Sequence, residues 1–153
     1  MADLKNLIQE HVKTARVMHL ATAINNNPWV CNIHFYTDDD LNFYWISTPE
    51  RRHSQEIKQN QHVSAAIKVH EDTPDEPYVI GISVEGKAEL LTQKAAKKIA
   101  IGYKNKLNKT QTSLDDIFAG RNPHKFYRMK PEKFVLFDNK NFPDNPRQEY
   151  KVT

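Results

Sequence analysis

The sequence predicts a single α+β domain in which roughly six antiparallel strands, with two or three intervening helices, curl into a small closed or half-closed barrel. Three observations carry that expectation. The helical spacing of Leu4, Leu7, Ile8, His11 and Val12 gives way to strand-like runs from Val17 onward. Val17–Ile24, Trp29–Thr37 and Leu41–Ser47 then follow one another across the turn segments Asn25–Pro28 and Asp38–Asp40, as a three-strand meander. The long run Tyr78–Leu91 carries Gly81 and Gly86, where a barrel strand can bend sharply. Closure removes exposed strand edges, but the pattern also accommodates another α+β sheet.

Composition sets the outer bounds. A chain of 153 residues, 39% hydrophobic and 27% charged, suits one domain spanning 1–153, with an N-terminal helix within 1–16 and an extended tail at 139–153. No apolar run approaches the ~20 residues of a membrane helix, so no membrane partner is expected. The first ten residues lack the apolar core of a signal peptide. Cys31 is the one cysteine, which rules out an internal disulfide and suits a reducing, cytoplasmic setting. The net charge is +3, offset locally by Asp38–Asp40 and the carboxylates of 71–76, so nucleic acid is a poor match.

The remaining elements follow in order. Thr48 is expected to cap a helix with Pro49 at its first position, running to about Asn60. His62–Val69 reads as a fourth strand and Glu71–Pro77 as an exposed acidic loop. Thr92 suits the cap of a basic helix reaching about Leu107, with Asn105–Thr112 as polar linker. Ser113–Asp116 resembles a capping box for a short helix ended by Gly120, and Phe126–Phe137 returns to the sheet.

The chemistry concentrates in Ser47-Thr48-Pro49-Glu50-Arg51-Arg52-His53-Ser54. Cations at the start of a helix oppose its partial positive charge, a penalty that a bound anion reverses. Helix N-termini bind phosphate, and arginine adds a bidentate fork. The alternative is that Arg51 and Arg52 face solvent or pair with Glu50 and Glu56. Trp29, Phe35, Phe43, Tyr44 and Trp45 crowd the same meander, either as barrel core or as the frame of a planar ring. The seven histidines show no metal-ligand spacing. Cys31 reads as a buried strand thiol, and the lysines from Lys94 to Lys109 as a solvated stripe.

From about Val17 to Asp138 the order of segments resembles the pyridoxamine-phosphate-oxidase-like flavin split-barrel family. The resemblance rests on the meander LATAINNNPWVCNIHFYTDDDLNFYWIS, on STPERRHSQEIKQNQHVSAAI and on GISVEGKAELL, with YRMKPEK fitting the last barrel strand. It implies a six-stranded antiparallel split β-barrel with flanking helices, working as a homodimer with flavin mononucleotide (FMN) at the interface. Ser47, Thr48, Arg52 and His53 then fall where the family holds the flavin phosphate. His53 stands where lysine or arginine is common, so phosphate binding is expected to weaken as pH rises past ~6.5. Trp29, Val30, Cys31 and Asn32 fall on the strand whose backbone lines the isoalloxazine ring.

Two departures exclude vitamin B6 oxidation as the specific function. Gly81 and Ile82 replace a polar ring contact, and the tail lacks the family's substrate-binding Arg/His motif. The resemblance therefore implies a flavin-dependent oxidoreductase of unassigned substrate, taking hydride from a nicotinamide cofactor or small reductant. No residue stands out as its acid or base. The alternatives are a non-catalytic flavin-binding or stress-related protein, a deazaflavin binder, or a haem binder through His19, His34 or His124. A small barrel that binds single-stranded nucleic acid through its aromatics and basic helix is a further one.

Overall fold

A computed structural model describes residues 3–153. Asp3 caps α1 (Leu4–Thr14) by accepting the N–H groups of Lys5 and Asn6, and Ile8 and Val12 of its apolar stripe are fully buried. β1 (Val17–Ile24) and β2 (Asn27–His34) form a hairpin. Its loop is Asn25–Asn26, both with positive φ (49° and 63°), the backbone that suits the twist of a two-residue hairpin. Pro28 lies inside β2 rather than in the turn, which an edge strand tolerates because one side of its ladder is unpaired.

The chain continues through β3 (Tyr36–Thr37), β4 (Phe43–Ser47), α2 (Arg52–Gln59), β5 (His62–His70) and β6 (Ile80–Leu90). Then come α3 (Gln93–Leu107), α4 (Gln111–Phe118), β7 (Lys125–Asp138) and β8 (Arg147–Lys151). The strands make one antiparallel sheet in the order β2-β1-β5-β6-β7-β4-β3, with β8 on β7. The described residues therefore hold eight strands, where the sequence suggests six. Phe35 interrupts the second run: its N–H turns to Arg16 and splits β2 from β3. The tail is also more than extended, since β8 pairs with Lys133–Phe137, the stretch of β7 that β4 leaves uncovered.

The sheet curls on itself. Its two end strands, β2 and β3, are consecutive in the chain, so the edges meet at Phe35 and diverge beyond it. That divergence is the split in the barrel. Met18, Leu20, Phe35, Phe43, Trp45, Val84, Met129, Phe134 and Leu136 fill the interior, joined by Ile57 of α2. Gly86 allows the close approach of β6 to β7: a Cβ there would lie 2.2 Å from the Lys130 carbonyl oxygen, where the β6–β7 register shifts. A second core holds Ala96, Ala100, Tyr103, Leu107, Leu114 and Ile117 of α3 and α4 against Phe126.

Two helix starts differ from expectation. Thr48 caps nothing; its carbonyl accepts the Arg51 N–H, so Thr48–Arg51 is a turn and α2 begins at Arg52. Proline's fixed φ serves a turn's second position as well as a helix's first, and only the surrounding packing selects between them. Likewise α4 starts at Gln111, capped by Thr110, so Ser113 lies inside the helix rather than at its cap. Thr92 does cap α3, accepting the Ala95 N–H.

Candidate functional site

A cleft of about 480 Å³ opens where β2 and β4 separate. Trp29, Cys31, Asn32 and Ile33 form one wall, with Ile46 and Ser47 of β4 opposite. Thr48, Arg51, Arg52 and His53 close one end, and His124, from the loop before β7, completes the lining. Val30 does not line the cleft: the residue is 58% exposed and contributes only its backbone to that strand.

The aromatic cluster divides. Phe35, Phe43 and Trp45 are barrel core, Tyr44 is buried outside it against Tyr36 with its hydroxyl donating to Asp38, and Trp29 is 41% exposed at the cleft. The Arg52 guanidinium lies over the Trp29 ring, 4.4 Å from its centroid. Arg52 also donates from Nε to Glu56 (2.6 Å), and the other Glu56 oxygen accepts from Thr22 Oγ1 on β1 (2.8 Å). The pairing of Arg52 with Glu56 is thus present, yet Arg52 still lines the cleft.

No side chain caps the start of α2, so its first N–H groups have no protein acceptor among the described residues. His53 is buried at 7% exposure and its Nε2 has no partner. Burial, and then the nearby Arg51 charge, push the His53 ring below its ordinary pKa, against a smaller opposing pull from Glu56. Burial acts to raise the Glu56 carboxyl, but hydrogen bonds from Arg52 and Thr22 outweigh it and hold it below the usual range. Cys31 is half-buried rather than buried, and burial raises its thiol, which disfavours a reactive thiolate.

His124 is the cleft residue that local pattern leaves unmarked. Its backbone N–H (2.9 Å) and its Nδ1 (2.6 Å) both approach Asn122 Oδ1. The backbone donor makes that atom the amide oxygen, so Nδ1 carries a proton toward it and Nε2 is left to act. His19, by contrast, engages Asn32 through Nδ1, and neither His19 nor His34 lines the cleft. Among the described residues no three His, Cys, Asp or Glu side chains gather as a metal site. No helix there is long and apolar enough to cross a membrane.

The family profile described as pyridoxamine 5'-phosphate oxidase matches residues 4–137. The chain belongs to this family. No curated protein sequence matches it. Among solved structures, it is similar to a candidate 5-nitroimidazole antibiotic resistance protein of Bacteroides thetaiotaomicron: 16% identity, TM-score 0.73, covering 89% of this chain and 84% of that one. A conserved hypothetical protein of Mycobacterium tuberculosis gives 16% identity and a TM-score of 0.75, over 94% of this chain and 89% of that one. A haem-binding protein of Mycobacterium smegmatis gives 11% and 0.73, over 99% of this chain and 59% of that one. At such identities the likeness establishes the split-barrel fold.

Proposed function

We propose that the chain binds FMN in the cleft between β2, β4 and α2 and serves, as a homodimer, as a flavin-dependent oxidoreductase. The observation that carries this is the uncapped start of α2, with Arg51, Arg52 and the buried His53 facing the same cleft as edge strand β2. The residues fit the cofactor. Free N–H groups, arginine and the hydroxyls of Ser47 and Thr48 suit a phosphate, and the backbone of Trp29–Asn32 offers donors and acceptors to a ring edge. Bound flavin supplies the two-electron chemistry, accepting hydride from a nicotinamide cofactor or small reductant. The protein's part is to anchor the phosphate, orient the ring and shield one side of it with the barrel wall.

Dimerisation is supported by β2 itself, an edge strand on which the adjacent Trp29 and Val30 stand exposed. A reducing compartment, the cytoplasm, suits the lone Cys31. Pyridoxamine phosphate is not the substrate we propose. The tail 139–153 holds no histidine, and its one arginine, Arg147, pairs with Glu149 at 3.0 Å. A haem reading is favoured by one observation, the free Nε2 of His124 at the cleft.

The purified protein tests these readings together. FMN-type visible bands that bleach with dithionite and return in air support flavin, and steady nicotinamide oxidation selects the oxidoreductase over a flavin store. A Soret band abolished by His124→Ala selects haem. Colourless protein that takes up no added FMN refutes the proposal.

A further inference from the structure

We propose that Glu56 is the positioning residue of the cleft, holding Arg52 in the orientation that presents its guanidinium to a phosphate. This rests on the FMN reading above and names the residue on which phosphate recognition depends. Carboxylates are seldom buried unless paired, and Glu56 is 6% exposed. It lies one turn beyond Arg52 on α2; one oxygen accepts from Arg52 within the helix, and the other accepts from Thr22, which ties α2 to β1. An arginine otherwise free at the surface must lose rotamer freedom to grip a ligand. Arg52 has already lost it. Glu56 holds Nε, the Trp29 ring covers one face, and neither terminal nitrogen has a protein partner among the described residues. A guanidinium has five N–H donors in a planar fork; with one given to Glu56, the four on the terminal nitrogens stay available for a bidentate contact.

Charge alone predicts the opposite outcome. Glu56 offsets the Arg52 charge, so if electrostatics governed, removing the carboxylate would tighten anion binding; if positioning governs, removal loosens it. The test measures FMN and riboflavin affinity by flavin fluorescence on the full chain, because the ratio isolates the phosphate. Loss of one ordered side chain corresponds to about a tenfold fall in FMN preference for Glu56→Ala. Glu56→Gln, which still accepts from Nε, should lower it about threefold, and Glu56→Ala added to Arg52→Ala should lower it no further. A general structural role would weaken both ligands alike and leave the ratio unmoved. A ratio unchanged or raised in either folded single variant overturns the proposal. Wild-type protein that binds flavin without preferring FMN to riboflavin refutes the phosphate reading itself, and the role of Glu56 falls with it.

Discussion

Replacing Gly86 by alanine is expected to cost far more than the same change at Gly81, five residues earlier on β6. At Gly86 the added Cβ would lie 2.2 Å from Lys130 O and 2.9 Å from both Lys130 C and Pro131 Cα. A relaxed carbon–oxygen contact needs about 1 Å more, and every atom met is backbone, so β6 and β7 must part at their register shift. Overpacking of this kind costs ~1–3 kcal/mol, and the lack of any side chain able to move places it at about 3. For a chain of this size that is a fall of roughly 6–12 °C in Tm. At Gly81 the nearest atom is Ile67 O at 3.8 Å, an ordinary contact, so alanine is neutral or stabilising by up to ~1 kcal/mol. Urea and thermal denaturation followed by circular dichroism measure both. Variants within ~0.5 kcal/mol of each other would refute the reasoning, because local strand propensity is the same at the two positions.

Other expectations are as direct. Arg52→Ala should weaken FMN by ~1.5–3 kcal/mol, the worth of a charged hydrogen bond, while riboflavin affinity changes little; equal loss for both ligands would contradict the phosphate assignment. Acid should destabilise the protein in two stages. The lowered pKa values of His53 and His11 mean the unfolded chain binds protons that the native one does not, so stability falls as pH drops below ~6.5. Glu56, also lowered, contributes stability above ~4.3 that is lost as pH falls through its folded value. The urea midpoint should therefore decline from pH 7 downward and decline less in His53→Gln; a flat profile would refute this. Lys106, pushed down to about 8 by burial and then by Arg16, should show that lowered midpoint when its methylated amine is followed by NMR, and an ordinary lysine midpoint of ~10.4 there would refute it.

The cationic end of the cleft was readable because it is contiguous. Ser47 through His53 occupy one stretch, and cations crowded at a helix start break a local rule, which is itself a signal. Its pH behaviour was not readable. An exposed histidine would lose charge near ~6.5, whereas burial keeps the His53 ring neutral over more of the range, so the expected weakening of anion binding shifts to lower pH. The role of Trp29 was ambiguous for a similar reason: five aromatics share one meander, and only the folded sheet leaves Trp29 exposed while the other four are buried. Glu56 read as a possible surface partner of Arg52; its bond to Thr22 spans 34 positions. His124 has no local mark at all. It reaches the cleft because β7 pairs with β4, and that pairing brings the loop before β7 beside Ser47.

By itself the sequence determined what nearest neighbours in the chain decide: the change of apolar period, the Asn25–Asn26 turn, the Thr92 cap and the cationic start of α2. Tertiary structure alone decided which helix start is a turn, how many strands complete the sheet, and which side chains of distant segments share one cleft. The physical reason is range. Propensity and capping act within a few residues, whereas the cleft exists because two sheet edges that meet at Phe35 diverge, which is a property of the whole curled sheet.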